Sequence, residues 1–360
     1  KSAALLEDFL GNHAEAIGVY LEILQDDESN RAASDALIRL YESEGQWFEL
    51  ADILDTRLAQ LGDDDAQESK VLLRLAEVRE LRLGEVELAL ENYRRVAEVE
   101  PGNPALRVAL ERLLEDADHR KAAAGFLEPL YLADDNWRGM IAVHQVQSDT
   151  ATEAAERVRR LHLIADLHEA RAESAVDAFL SIVSAFSVDP SDEGTHERLT
   201  EMARSMGAWQ ELVDVYRAEI DAIEEADVLA DIQRRLAMIL SAEQGNEEEA
   251  LVHFEAALAA NPNDGRVLDA LEALYARLNR WDDLVGLLRE KVQGIDEPAD
   301  QMALYQRIGQ LYDELLEDPE NAIEAFRSAF ELAPESAAIL DALEALYHRL
   351  ERWEDLMELL

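Results

Sequence analysis

The most regularly spaced polar side chains in this chain are carboxylates. An acid stands twelve residues before a tryptophan at four places: Asp35 before Trp47, Glu197 before Trp209, Asp269 before Trp281 and Asp341 before Trp353. Gly125 holds that place before Trp137. Carboxylates recurring at fixed spacing suit recognition of an extended cationic segment, one acid per repeat. Acids near a helix N-terminus also complement the helix dipole, which gives the same pattern a purely structural origin. Other chemistry has no such support. The sequence contains no Gly-rich phosphate loop, nucleophile elbow, paired zinc histidines or calcium loop. His162 and His168 are six residues apart, which sets them on different faces of a helix. Cysteine is absent, so neither a disulfide framework nor a thiolate metal site is available. The chain is read as non-enzymatic, with no cofactor and no metal. The acidic runs Asp63, Asp64 and Asp65, and Glu247, Glu248 and Glu249, are expected in solvated loops between helices.

The elements that must position these acids follow from the tryptophans. There are five, Trp47, Trp137, Trp209, Trp281 and Trp353, and the last three intervals are each 72 residues. The first interval, 90 residues, is one period plus eighteen. A ruler this regular marks an internal repeat. With 48% hydrophobic residues, 15 glycines and 8 prolines, and no strand-like alternation, the repeat unit is helical. The last complete unit shows this best. Met302, Tyr305, Ile308, Leu311, Tyr312 and Leu315 recur at spacings of three and four and make one apolar stripe. A second helix carries Ala322, Phe326, Ala329 and Phe330, with Pro334 ending it; a third carries Leu340, Leu343, Leu346 and Tyr347; a fourth begins at Trp353. The small residues let helix backbones approach while the aromatic fills the groove between them.

These residues resemble tetratricopeptide repeats, in which two antiparallel helices of about 34 residues place Ala, an aromatic, Ala and Pro through the second helix and its exit. The set reads Ala322, Phe326, Ala329, Pro334 and again Ala250, Phe254, Ala257, Pro262. Looser copies are Ala178, Ile182, Ala185, Pro190 and Ala89, Tyr93, Val96, Pro101. The tryptophan-bearing hairpins depart from the pattern, with Leu50, Met140, Leu212, Leu284 and Leu356 where the family has a small residue. The natural unit is therefore a pair of unlike hairpins. The resemblance implies an all-α, right-handed α-solenoid, a single domain over 1–360 in units 1–67, 68–151, 152–225, 226–297 and 298–360. The first helix of each hairpin would line a concave face, and that face would bind protein. Pro101 and Trp137 are 36 residues apart where the corresponding pairs of the later units are 19 apart. One extra helix is expected near residues 103–132, with Pro129 kinking or restarting the helix that holds it.

Charge narrows the partners. The chain has 79 acidic and 33 basic residues, a net charge of -46. Such a field repels nucleic-acid phosphates and anionic membrane, and it attracts basic proteins; it also serves solubility alone. A basic or extended protein segment, held along Asp35, Glu197, Asp269 and Asp341, is the expected partner. Some tetratricopeptide proteins hold a C-terminal carboxylate with Lys and Asn, but the matching places hold Asp269 with Ala273 and Asp341 with Ala345, so that mode is not expected. Arg160, Arg235 and Arg307 each precede an apolar stripe and are expected to pair with acids on the adjoining hairpin, fixing the stacking. The tryptophans are expected to wedge between neighbouring hairpins. The competing reading is an architectural spacer that stacks end to end through Leu356, Met357, Leu359 and Leu360, or continues into a longer chain. A third is a regulatory array attached to an enzyme outside these residues. No signal-peptide order and no apolar run of membrane-spanning length occurs. This favours a soluble chain, with the cytoplasm preferred and no compartment assigned.

Overall fold

Every described segment of regular structure in this computed structural model is helical. The structure describes residues 12–61 and 65–359. Lys1, the chain's opening residues, Asp63, Asp64 and Leu360 lie outside these. The chain divides into two compact units, Lys1–Asp189 and Pro190–Leu360. The first holds α1 (His13–Asp26), α2 (Arg31–Glu44), α3 (Trp47–Gln60), α4 (Asp65–Val78), α5 (Val86–Val99), α6 (Pro104–Leu114), α7 (Arg120–Ala133), α8 (Trp137–Thr150), α9 (Ala154–Leu167) and α10 (Ala175–Val188). The second holds α11 (Glu193–Met206), α12 (Trp209–Ile220), α13 (Ala226–Ala242), α14 (Glu247–Ala260), α15 (Gly265–Arg277), α16 (Trp281–Gln293), α17 (Pro298–Glu314), α18 (Pro319–Leu332), α19 (Ala337–Arg349) and α20 (Trp353–Leu359). Within each unit consecutive helices pack on one another as hairpins.

Local sequence sets where these helices begin and end. Side chains of Asn30, Asn103, Asn136, Ser174, Asp192, Asn246, Asp264 and Asp318 accept backbone N–H bonds at the starts of α2, α6, α8, α10, α11, α14, α15 and α18. Each tryptophan is the first residue of its helix, α3, α8, α12, α16 or α20. The turn just before it contains a left-handed residue two places earlier: Gly45, Asp135, Gly207, Asn279 or Glu351. The remaining left-handed residues, Gly84, Glu173, Gly245 and Glu317, each fall seventeen places before Pro101, Pro190, Pro262 and Pro334. Side chains other than glycine and asparagine resist this conformation by about 1–2 kcal/mol. Its recurrence at two fixed places, whatever the residue, shows that hairpin geometry and not local preference dictates it. The helices α4 and α9 reach their turns through five-residue π-helical segments, Arg79–Leu83 and His168–Ala172.

Packing within the hairpins follows the small–aromatic–small pattern. Ala250, Phe254 and Ala257 are buried on α14, as are Ala322, Phe326 and Ala329 on α18, while Pro262 and Pro334 stand exposed beyond the helix ends. Gly309 on α17 meets the Phe326 ring so closely that a Cβ there would lie 2.9 Å from it. Between Pro101 and Trp137 two helices, α6 and α7, replace one, and Leu106, Leu110, Ala123, Leu127 and Tyr131 join the residues of α4 and α5 in one core. Pro129 does not restart its helix, for α7 runs unbroken through it. The carbonyl a proline ring would crowd belongs to the residue four places back, here Gly125, whose lack of side chain lets the backbone give.

The tryptophans are not buried wedges. Trp47, Trp137, Trp209 and Trp281 are half-buried and Trp353 is 51% exposed. Arg82, Arg138 and Arg204 lie over the rings of Trp47, Trp137 and Trp209. The residue three places on carries the packing, with Leu50, Leu212 and Leu284 buried. Arg82 comes from the π-helical segment after α4, Arg138 from the next residue of α8 and Arg204 from the last turn of α11, so the cation over the indole has no fixed place in the repeat.

Candidate functional site

The four recurring acids occupy one structural register. Asp35, Glu197, Asp269 and Asp341 are each the fifth residue of their helices, α2, α11, α15 and α19, and each is exposed. That place is just past the first turn, where the attraction of the dipole has faded. Their electrostatic states differ. Asp35 is ion-paired with Arg57, ten residues after Trp47, on the return helix α3. Asp269 is paired with Lys291, ten residues after Trp281, at 3.1 Å. Glu197 and Asp341 have no hydrogen-bonding or ion-pairing partner among the described residues. The place ten residues after Trp209 holds another acid, Glu219.

Asp35 also lies in mixed surroundings. The cavity of about 420 Å³ where α2, α3 and α4 meet is lined by Asp35, Arg57, Lys70, Arg74 and Glu77, so cations balance its acids. Lys291 also reaches Glu272, at 3.4 Å, and these two carboxylates hold its ammonium above the usual lysine range against the opposing effect of burial. The acidic runs differ from the expectation. Asp65 begins α4, and Glu247, Glu248 and Glu249 form the first turn of α14 and not a loop. There they meet the positive end of the helix dipole, while Glu249 takes Arg217 and Glu247 takes Arg277.

The arginines behave as expected. Arg160 pairs with Glu128 on α7 at 2.8 Å, Arg235 with Glu193 on α11, and Arg307 with Glu272 on α15. Each pair joins the first helix of one hairpin to the first helix of the preceding one. The sequence reading missed Arg74, which pairs with Glu42 on α2. Its signal was present, for Arg74, Arg235 and Arg307 all stand ten residues before a left-handed turn residue, Gly84, Gly245 and Glu317. Arg160 stands thirteen before Glu173, a helical turn earlier, and Leu163 occupies the place of the arginine.

Buried polar groups cluster beside Arg160. His144 on α8 is buried, its Nδ1 3.1 Å from Gln147 and 3.2 Å from Arg160. Burial lowers its pKa below the usual histidine value. In the other units the place seven residues after the tryptophan holds Leu54, Tyr216 and Leu288, all buried. Burial works to raise Glu128, but hydrogen bonds from Gln147 and Arg160 outweigh it and keep the carboxyl below its usual range. In the second unit His196 is buried against Tyr216, whose phenol burial pushes up to about 12. Among the described residues no group of three or more His, Cys, Asp and Glu is arranged to hold a metal ion.

Fold and register together define an α-helical repeat protein of packed hairpins. Residues 303–336, most of α17 with all of α18, match the tetratricopeptide repeat family model. The match spans a single hairpin, and the structure extends the same helix–turn–helix packing along both units. The chain matches no curated relative. Among the described residues no helix is long and apolar enough to cross a membrane.

Proposed function

We propose that the chain is a non-enzymatic protein-interaction scaffold that holds a basic, extended segment of a partner along the first helices of its hairpins. Repeats of the family matched by residues 303–336 mediate protein–protein interaction, which supports the class of function. The observation that carries the finer reading is the exposed register of Glu197 and Asp341, which lack partners among the described residues, in a chain of net charge -46. In this reading the repeating unit is the pair of unlike hairpins, about 72 residues long, and Asp35 and Asp269 contribute less because Arg57 and Lys291 already meet them. The same field disfavours nucleic acid and anionic lipid.

The test is fluorescence anisotropy of a labelled peptide rich in lysine and arginine, titrated with the chain over a salt series. Binding should weaken steeply with salt, since exposed charges are screened over about 8–10 Å at physiological ionic strength. Glu197→Lys with Asp341→Lys should weaken it several-fold more than Asp35→Lys with Asp269→Lys. Equal losses from the two pairs, or none, would remove the acids as the binding track.

A further inference from the structure

An apolar pocket sits in the irregular part of the first unit, between α7, α8 and α9. Its volume is about 250 Å³. Leu132, Met140, Leu163 and Leu167 form its walls with the rings of Tyr131 and Trp137, and buried His144 reaches it from α8. Asp135, ion-paired with Arg171, and exposed Asp166 line its rim.

The register shows how this pocket arises. Leu132 stands five residues before Trp137, and Glu42 stands five before Trp47. Leu163 stands ten before the left-handed Glu173, and Arg74 ten before Gly84. In the hairpin of α2 and α3 this place holds Glu42, which is ion-paired with Arg74 of α4. In the irregular one two leucines stand there, Leu132 is 72% exposed, and Arg160 makes the hairpin-to-hairpin pair from a turn earlier. Neighbouring places change with it. Gly139 replaces an acid found at Glu49, Glu211, Asp283 and Asp355, and the Tyr131 ring lies where its Cβ would be, 2.5 Å away. Met140 replaces buried leucine, and His144 replaces Leu54, Tyr216 and Leu288. Where the hairpin of α2 and α3 meets α4 through an ion pair, this one has exposed apolar surface with a hollow behind it.

We infer that this pocket receives one large apolar side chain, of leucine, methionine or phenylalanine size, from a partner segment whose flanking residues are basic. The size argument is direct: a cavity of about 150 Å³ holds benzene, and sites for whole small molecules run to about 300–1,000 Å³. The charge argument comes from the surroundings. Asp134, Asp135 and Asp166 line the pocket or adjoin its lining in the chain, against Arg138 and Arg171, in a chain of net charge -46. This inference rests on the scaffold reading above and adds to it an apolar selectivity that acids alone do not supply.

The probe is a labelled peptide of lysine, arginine and serine with one central phenylalanine, compared by anisotropy with its alanine counterpart. The phenylalanine peptide should bind about 10- to 100-fold tighter, the effect of burying one large apolar side chain. The decisive variant is Leu132→Glu with Leu163→Arg, which rebuilds the ion pair of Glu42 and Arg74 in the same register and leaves the net charge unchanged. In it the ratio between the peptides should fall to near one while binding of the alanine peptide stays as it was. A ratio that survives the double change overturns the pocket as the seat of selectivity. Equal binding of both peptides to the unaltered chain overturns the pocket and leaves the acidic scaffold standing. No binding of either peptide overturns both.

Discussion

Residues 298–359 and residues 104–172 fill the space between hairpins in different ways. In the first, α17 and α18 interlock a glycine with an aromatic ring, and Ile323, Phe326, Leu343 and Tyr347 make a closed core with both termini of the hairpin turned by fixed backbone geometry. In the second, an extra helix is accommodated, the interlock moves to Tyr131 over Gly139, and apolar side chains are left in the open where an ion pair stands in residues 42–74. Each hairpin in such an array shares its core only with its neighbours, so one place can change without propagating. The regular region spends its side chains on stacking. The irregular region gives up part of that and gains an apolar cavity and a buried histidine.

Five substitutions sharpen this contrast. The largest effect is expected from Phe326→Ala, about 3–5 kcal/mol, because the ring is buried against α17 and α19. Met140→Ala in the irregular region should cost clearly less, since Met140 is half-buried on a pocket wall. Urea unfolding of both variants checks the order, and equal losses would mean that the two regions are packed alike.

Next come the two close-approach glycines. Alanine at Gly309 or Gly139 would put its Cβ 2.9 Å from the Phe326 ring or 2.5 Å from the Tyr131 ring, and both rings are buried. Overpacking of this kind costs about 1–3 kcal/mol. Gly139→Ala should be the milder despite its shorter approach, because the adjoining pocket offers Tyr131 somewhere to move. If Gly139→Ala proves the costlier by thermal unfolding, the pocket wall is as rigid as the regular core.

The smallest effect concerns pH. Burial, joined by Arg160 and Arg159, lowers the pKa of His144, against the raising influence of Gln147 and Glu128. A histidine lowered in the folded state is favoured neutral there, so its stabilisation is complete above the unfolded value of about 6.5 and is lost as pH falls through the folded value. Burial lowers His196 and His253 in the same direction. His144→Leu, which restores the residue type of Leu54 and Leu288, should raise the unfolding temperature at pH 5 more than at pH 7.5. An equal rise at both would show that His144 does not titrate with unfolding.

Much of the architecture was legible because it repeats. The spacing of tryptophan, proline and the Ala–aromatic–Ala set gave helix starts, helix ends and the buried face of α18, since each is a local backbone or packing requirement read from a few adjacent residues. Two errors came from reading residue type without geometry. Trp47 and its counterparts were expected as buried wedges between hairpins, yet they are half-buried or, at Trp353, exposed, with Leu50 and Leu284 turned inward. Pro129 was expected to kink or restart its helix, yet α7 does not restart there, and Gly125 lies where the strain would fall. Arg74 went unnoticed although its register was legible, for Arg74, Arg235 and Arg307 each stand 27 residues before Pro101, Pro262 and Pro334.

The sequence by itself determined that this chain is a helical repeat, where its hairpins turn, and that acids recur at one place in them. It also fixed the sign of the whole electrostatic field. Only the tertiary structure decided which carboxylates remain without partners. Arg57 and Lys291 are twenty-two residues from Asp35 and Asp269 and reach them by the return of the second helix against the first. Likewise only packing brings Leu132 and Leu163 to the same pocket, because an ion pair or a cavity between neighbouring hairpins depends on two registers at once, and each alone is silent about the other.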